Sequence, residues 1–278
     1  MAPLIGIASS PFIFSFLEEF PSSADFVEIP FEQLQFDSSL ARIKEYVPII
    51  LHCASLSIGG TVLPSKQTIS NINRWIACTD TPWLGEHLAF LTAKPLDYKR
   101  RKKGQGPLNL GYTVTPEMNK RSISRIVARY KKLKEIIDAP IILENSPLYF
   151  DLPGTTMSQI DFIGSVLEGC DTGFLLDLTH FYITSMNMGF DAKEQVCHLP
   201  LDRIVEIHIS GHSYQENMYW DDHASPASDG IFELLELVMK NAEPKAITFE
   251  YNWASNFPIL RIIEDIQRAR RVCAENIH

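Results

Sequence analysis

Six of the eight histidines, His52, His87, His180, His208, His212 and His223, lie at the ends of short apolar runs or in the polar segment 211–228. Five acids, Glu144, Asp177, Asp221, Asp222 and Glu250, occupy the same kind of position. Imidazole nitrogens and carboxylate oxygens are donors suited to iron, manganese or zinc, whereas a structural zinc site would use thiolates that this pattern lacks. So many donors in one place repel one another unless cations lie between them, so more than one metal is expected. Taken singly, each has a commoner use: a strand-end histidine usually packs and hydrogen-bonds, Glu144 could be an ion-pair partner, and Asp177 could cap a helix. It is their convergence that favours metal.

Convergence requires a scaffold that brings distant segments together. Residues 4–9, 25–30, 48–52, 83–90, 140–145, 173–182, 204–210 and 246–250 read as strands, several closing on His or Glu. Helical spacing appears between them, at 12–20, 38–46, 68–78, 158–166 and 231–239, and in a closing helix marked by Leu260, Ile263, Ile266 and Ala269. The clearest apolar stripe, Ile123, Ile126, Val127, Tyr130, Leu133 and Ile137, is expected to belong to a helix opening at Thr115-Pro116-Glu117. Strands that are continuously apolar suit a parallel sheet buried on both faces. Eight of them alternating with helices predict an α/β fold, a (β/α)8 TIM barrel, as a single domain over residues 1–278. In such barrels the active site is built at the C-terminal ends of the strands, where these donors fall.

A net charge of −9 argues against a protein that grips nucleic acid. The five cysteines form no C-x-x-C pair, which suggests reduced thiols and a cytoplasmic location. The apolar residues 4–17 have no preceding Lys or Arg and are interrupted by Ser9, Ser10 and Pro11, so neither an export signal nor a membrane span is expected. The basic cluster Lys99-Arg-Arg-Lys-Lys103 reads as a solvated loop, with docking of an acidic peptide or phosphate as the minority reading. No P-loop and no G-x-S-x-G elbow is present. Glu28 and Glu32 are left open between supporting a site and ordinary surface charge.

The segments Leu51-His-Cys-Ala-Ser-Leu-Ser-Ile-Gly59, Gly85-Glu-His-Leu-Ala-Phe90, Leu143-Glu-Asn-Ser146, Phe174-Leu-Leu-Asp-Leu178, Ile207-His-Ile-Ser-Gly-His212, Asp221-Asp-His-Ala-Ser-Pro226 and Thr248-Phe-Glu250 together resemble the DUF692 family of multinuclear non-haem iron-dependent oxidases. The resemblance implies a TIM barrel with two or three iron ions and O2 as co-substrate. It further implies a cysteine-containing, ribosomally made precursor peptide as substrate, within natural-product biosynthesis, and a small partner protein that binds the peptide leader. Carried over by motif, the implied metal residues are His52, His87, Glu144, Asn145, Asp177, His208, Asp221, His223 and Glu250, with Glu86 orienting His87. His180 stands where the family usually has Asn, and is either a substituted ligand or a substrate-facing base; Asp177 and His212 join it as implied catalytic residues. Met188 replaces a polar residue of the family pattern. The alternative reading is a divalent-metal sugar isomerase or hydrolase of the xylose isomerase or endonuclease IV barrel type.

Overall fold

The computed structural model describes residues 2–94, 107–252 and 258–276, so the basic cluster at 99–103 lies outside the described residues. Its principal strands are β1 (Leu4–Ala8), β2 (Val27–Pro30), β3 (Ile49–Cys53), β4 (Leu84–His87), β7 (Ile141–Glu144), β8 (Phe174–Asp177), β9 (Ile204–Ser210) and β12 (Ala246–Glu250), with β5 (Phe90–Ala93), β6 (Leu108–Val114), β10 (Ser213–Gln215) and β11 (Met218–Trp220) as shorter additions. The eight principal strands are parallel and close into a barrel in the order β1, β12, β9, β8, β7, β4, β3, β2. The helices are α1 (Ile13–Glu19), α2 (Phe31–Phe36), α3 (Lys66–Thr79), α4 (Lys120–Lys134), α5 (Gln159–Cys170), α6 (Leu178–Met188), α7 (Ala192–Gln195), α8 (Asp229–Met239) and α9 (Ile259–Glu275). The expected barrel is therefore present.

Successive strand side chains point to opposite faces of the sheet, which explains why these strands are apolar throughout yet end in donors. Ile49, Leu51, Ile141, Leu143, Leu176, Ile207, Ile209, Ile247 and Phe249 belong to the main core shared with the helices. The alternate residues Phe26, Ile50, Ile142, Leu175 and Ala246 join Trp83 in a separate apolar cluster, a plug inside the barrel. Two residues further along the same inward face come Glu28, His52, Glu144, Asp177 and Thr248. Gly85 occupies that level on β4, where a Cβ would overlap Nδ1 of His52. Only glycine leaves room for the imidazole there.

Several boundaries differ from the sequence expectation, each for a local reason. The strand expected over 83–90 stops at His87, and the chain continues as a hairpin of β5 against β6. The helix expected at Thr115 begins at Lys120 because Asn119 caps it, accepting from the Ser122 backbone N–H at 2.9 Å. Residues 38–46 form a 3-10 helix over Ser38–Glu45. The strand expected over 173–182 ends at Asp177, whose carboxylate accepts the His180 N–H at 2.5 Å and starts α6. His180 is thus in the first turn of a helix. The polar segment after β9 carries a second hairpin, β10 with β11.

Beneath the donors, the Glu206 carboxylate is fully buried and accepts from Trp83 Nε1 at 2.6 Å and Thr248 Oγ1 at 2.7 Å. Trp83→Phe leaves that charge short of a donor and is expected to destabilise the barrel by about 1–3 kcal/mol, read from the midpoint of urea unfolding.

Candidate metal centre

The inward ends of β3, β4 and β7 bring together His52, His87 and Glu144. Glu144 Oε2 lies 2.6 Å from His87 Nδ1 and 3.2 Å from His52 Nε2, and the two imidazoles approach to 3.1 Å through their Nε2 atoms. The same Glu144 belongs to a second group with Asp177, His208 and Glu250, in which His208 Nδ1 is 3.2 Å from Glu250 Oε2 and 3.6 Å from Glu144 Oε1. At the mouth a third group joins His180 to Asp221 and His223, with Asp221 2.9 Å from His180 Nε2 and 3.0 Å from His223 Nε2. His180 Nε2 also lies 3.6 Å from Asp177 Oδ2, so the groups adjoin.

These contacts fit cations better than hydrogen bonds. Glu28 Oε1, His52 Nδ1, both Glu144 oxygens, Asp177 Oδ2 and His208 Nδ1 are buried without a hydrogen-bond partner, although several have close neighbours in the directions just described. Buried polar atoms seldom remain unsatisfied. Ligands bonded to one metal at about 2.1 Å in a tetrahedron stand about 3.4 Å apart, within the range of 2.6 to 3.6 Å found here. A fourth group, Glu28 with His52 and His208, overlaps the first two, and three of the four are a pair of histidines with one carboxylate, the donor set of non-haem iron sites.

The electrostatics agree. Burial pushes Asp177 up to about 7, with nearby Asp221, Glu144 and Glu250 adding to the rise. Burial likewise raises Glu28 well above the usual carboxylate range. Against the same burial, His87 and His52 hold Glu144 well below that range. Burial alone would lower His223, yet the Asp221 carboxylate raises it to about 9. Without metal, protons supply the positive charge this crowd needs, and a cation could replace them.

Supporting contacts decide which atoms face inward. A carbonyl oxygen only accepts, so Asn145 O, 2.8 Å from His180 Nδ1, places a proton on Nδ1 and turns Nε2 towards the Asp221 carboxylate, 2.9 Å away, where a cation could take the place of the Nε2 proton. Asn145, expected among the ligands, uses its amide on the Asp177 backbone, donating to O and accepting from N, both at 2.9 Å. Glu28 Oε2 lies 3.0 Å from His208 Nε2, fixing that ring with Nδ1 towards Glu144 and Glu250. Glu28 therefore supports the site, whereas Glu32 holds the turn after β3 by accepting from Ala54 N and Ser55 Oγ. Glu86 does not orient His87; it faces the helices and takes Cys53 Sγ at 2.8 Å and Leu56 N at 3.3 Å.

His212 stands outside these groups, its ring between Tyr182 and Tyr219 at 5.4 and 5.8 Å. Burial pushes that imidazole below its ordinary value, and its Nδ1 is buried without a partner. Asp222, also named from the sequence, belongs to none of the groups, although it lines a cavity of about 340 Å³ together with His223, Glu250, Ser9, Ser10 and Gln33. Glu206 went unnoticed; the signal was its place two residues before His208 in an otherwise apolar run. His223 adopts a left-handed backbone, φ 56°, and its carbonyl accepts from Asn252 N at 2.7 Å. Such a conformation in a non-glycine residue is held by its surroundings.

Glu28→Ala is expected to weaken metal binding roughly 10- to 100-fold, as loss of a ligand-orienting carboxylate does, measured by competition with a chelator. The metal-free protein binds more protons folded than unfolded at His223, whose value rises from 6.5 to about 9, so that stabilisation is complete below 6.5 and lost as pH climbs to about 9. Its melting temperature should fall across that window. Metal affinity should rise over the same interval as His223 gives up its proton, and parallel melting and metal titrations from pH 6.5 to 9 check both signs.

The sequence matches the family described as RiPP precursor modification enzyme MbnB/TglH/ChrH over residues 5–274. A UPF0276 protein of Rhizobium meliloti is 27% identical over 230 residues, covering 81% of this chain and 71% of that protein. One of Shewanella sediminis is 26% identical over 260 residues, covering 90% and 88%. Among solved structures, D-psicose 3-epimerase from Clostridium cellulolyticum aligns with a TM-score of 0.54 at 14% identity, covering 98% of this chain and 96% of that one. Endonuclease IV from Thermus thermophilus aligns with a TM-score of 0.57 at 11% identity, covering 99% and 100%. At those identities the likeness to both enzymes is one of fold alone. The family match takes in every barrel strand but the first residue of β1, and every one of the donor groups: the chain belongs to the RiPP precursor modification enzyme family MbnB/TglH/ChrH.

Proposed function

We propose that this protein is a multinuclear non-haem iron oxidase that uses O2 to modify a peptide, at a cysteine of a ribosomally made precursor. The observation that carries the reading is Glu144, whose two buried oxygens face different donor groups without a hydrogen bond to either. One carboxylate shared by two groups would let Glu144 contribute to more than one ion. The family's description supplies the peptide, and the all-nitrogen and oxygen donor set supports iron.

Iron, when bound, supplies the one-electron steps through which O2 can oxidise a thiol-bearing carbon. In this reading His52, His87 and Glu144 would hold one ion, Glu144, Asp177, His208 and Glu250 a second, and His180, Asp221 and His223 a third. The cavity beside His223 and Glu250 admits the cysteine side chain, and its polar rim of Ser9, Ser10 and Gln33 meets the peptide backbone. A small leader-binding partner would present the peptide, and a cytoplasmic location fits such an assembly.

Iron-loaded protein given a cysteine-containing precursor peptide should shift the peptide mass only when O2 is admitted. A shift of equal size without O2 would reject the oxidase, and purification with zinc or manganese and no iron would favour the isomerase or hydrolase reading. His87→Ala should lose iron by elemental analysis and at least tenfold of the turnover, while its circular dichroism stays that of the parent.

A further inference from the structure

The mouth group draws its donors from two places in the chain. His180 comes from the first turn of α6, whereas Asp221 and His223 come from the segment directly after β11. No backbone ladder joins the second place to the first, because β10 and β11 pair only with each other. Ser210 at the end of β9 reaches Asp221 Oδ1 at 3.4 Å while its backbone is held by Thr179, and the His223 carbonyl accepts from Asn252 N at 2.7 Å. These contacts leave the hairpin itself to be set against the helix by side chains.

Helix α6 carries them. His180, Thr184 and Asn187 are four and then three residues apart and share one face of the helix. Thr184 Oγ1 donates to the His180 carbonyl at 2.7 Å and accepts from Leu148 N at 2.9 Å. Asn187 treats Tyr219 as a neighbouring strand would: its Oδ1 accepts from Tyr219 N at 2.9 Å, and its Nδ2 donates to Tyr219 O at 3.0 Å and to Leu148 O at 3.3 Å. Tyr219 precedes Asp221 by two residues. The adjoining rings of Tyr149 and Trp220, 4.9 Å apart, close the same junction between the loop after β7 and the hairpin.

We propose that Asn187 is a positioning residue for a metal site at the barrel mouth, holding the segment that bears Asp221 and His223 at ligating distance from His180 on its own helix. It touches neither metal nor substrate. This rests on reading the mouth group as a metal site. Asn187 does for the hairpin what Asn145 does for Asp177, with a side-chain amide standing in for a strand partner.

Asn187→Asp tests it, because the carboxylate can still accept from Tyr219 N but has no hydrogen for the carbonyls of Tyr219 and Leu148. Metal-free parent, Asn187→Asp and His223→Ala are each titrated with cobalt(II), following bound equivalents and the visible absorption. Asn187→Asp should weaken, roughly 10- to 100-fold, the same equivalent and absorption band that His223→Ala removes, and leave the others in place. If His223→Ala loses an equivalent that Asn187→Asp binds at parental affinity, this inference fails and the metal site stands. If His223→Ala binds as many equivalents as the parent, the mouth group holds no metal, and the reading and the inference fall together. A lower melting temperature for Asn187→Asp with an unchanged titration makes the residue merely structural and overturns the proposal. Should Asn187→Asp not fold, Asn187→Gln keeps both hydrogen-bonding functions but displaces them by one methylene, and parental affinity there overturns the proposal equally.

Discussion

Five carboxylates, Glu28, Glu144, Asp177, Asp221 and Glu250, crowd the upper end of one closed sheet, and that concentration of negative charge is what the surrounding structure answers. Removing several charges from water is costly unless opposite charge is built in beside them. Four imidazoles, His52, His87, His208 and His180, are interleaved with the acids, and their close approaches fail as hydrogen bonds in the directions that would satisfy Glu144. The result is a polar interior completed only by a proton or a metal ion. The apolar plug below and the helices outside provide the rigidity that keeps such an arrangement from relaxing.

That rigidity is not uniform. His52, Glu144 and His208 lie within parallel strands whose backbone ladders leave little freedom. Asp221 and His223 instead follow a two-stranded hairpin, and their positions depend on individual side-chain contacts and on a close approach of backbones. Gly211 shows how close: a Cβ there would overlap the Ser225 carbonyl. The candidate site thus has a floor set by strand ladders and a rim set by side chains.

Much of this was legible in the residues. Continuous apolar strands gave the barrel, because a parallel sheet covered on both faces has no polar side to display. Strand-end His and Glu pointed to the donor groups, since a period of two carries an apolar inward residue at Ile50 or Ile142 to a donor at His52 or Glu144. Side-chain partnerships were harder to see. Glu28 could not be told from a surface acid until His208, 180 residues away in sequence, was found beside it. Glu86 sits one residue from His87, but adjacency along a strand means opposite faces, and it serves the helix layer instead. Asp177 could be a ligand or a cap when read alone; the structure shows it starting α6 with one oxygen while the other remains unpartnered among the acids.

The plug of Phe26, Ile50, Trp83, Ile142, Leu175 and Ala246 makes the barrel interior a blind well among the described residues. On the proposed reading, ions, small reactants and peptide would then share one rim. A peptide settling there would act as a stopper as well as a guest, trapping what had already entered and barring what had not, so that the order of arrival would become part of the chemistry.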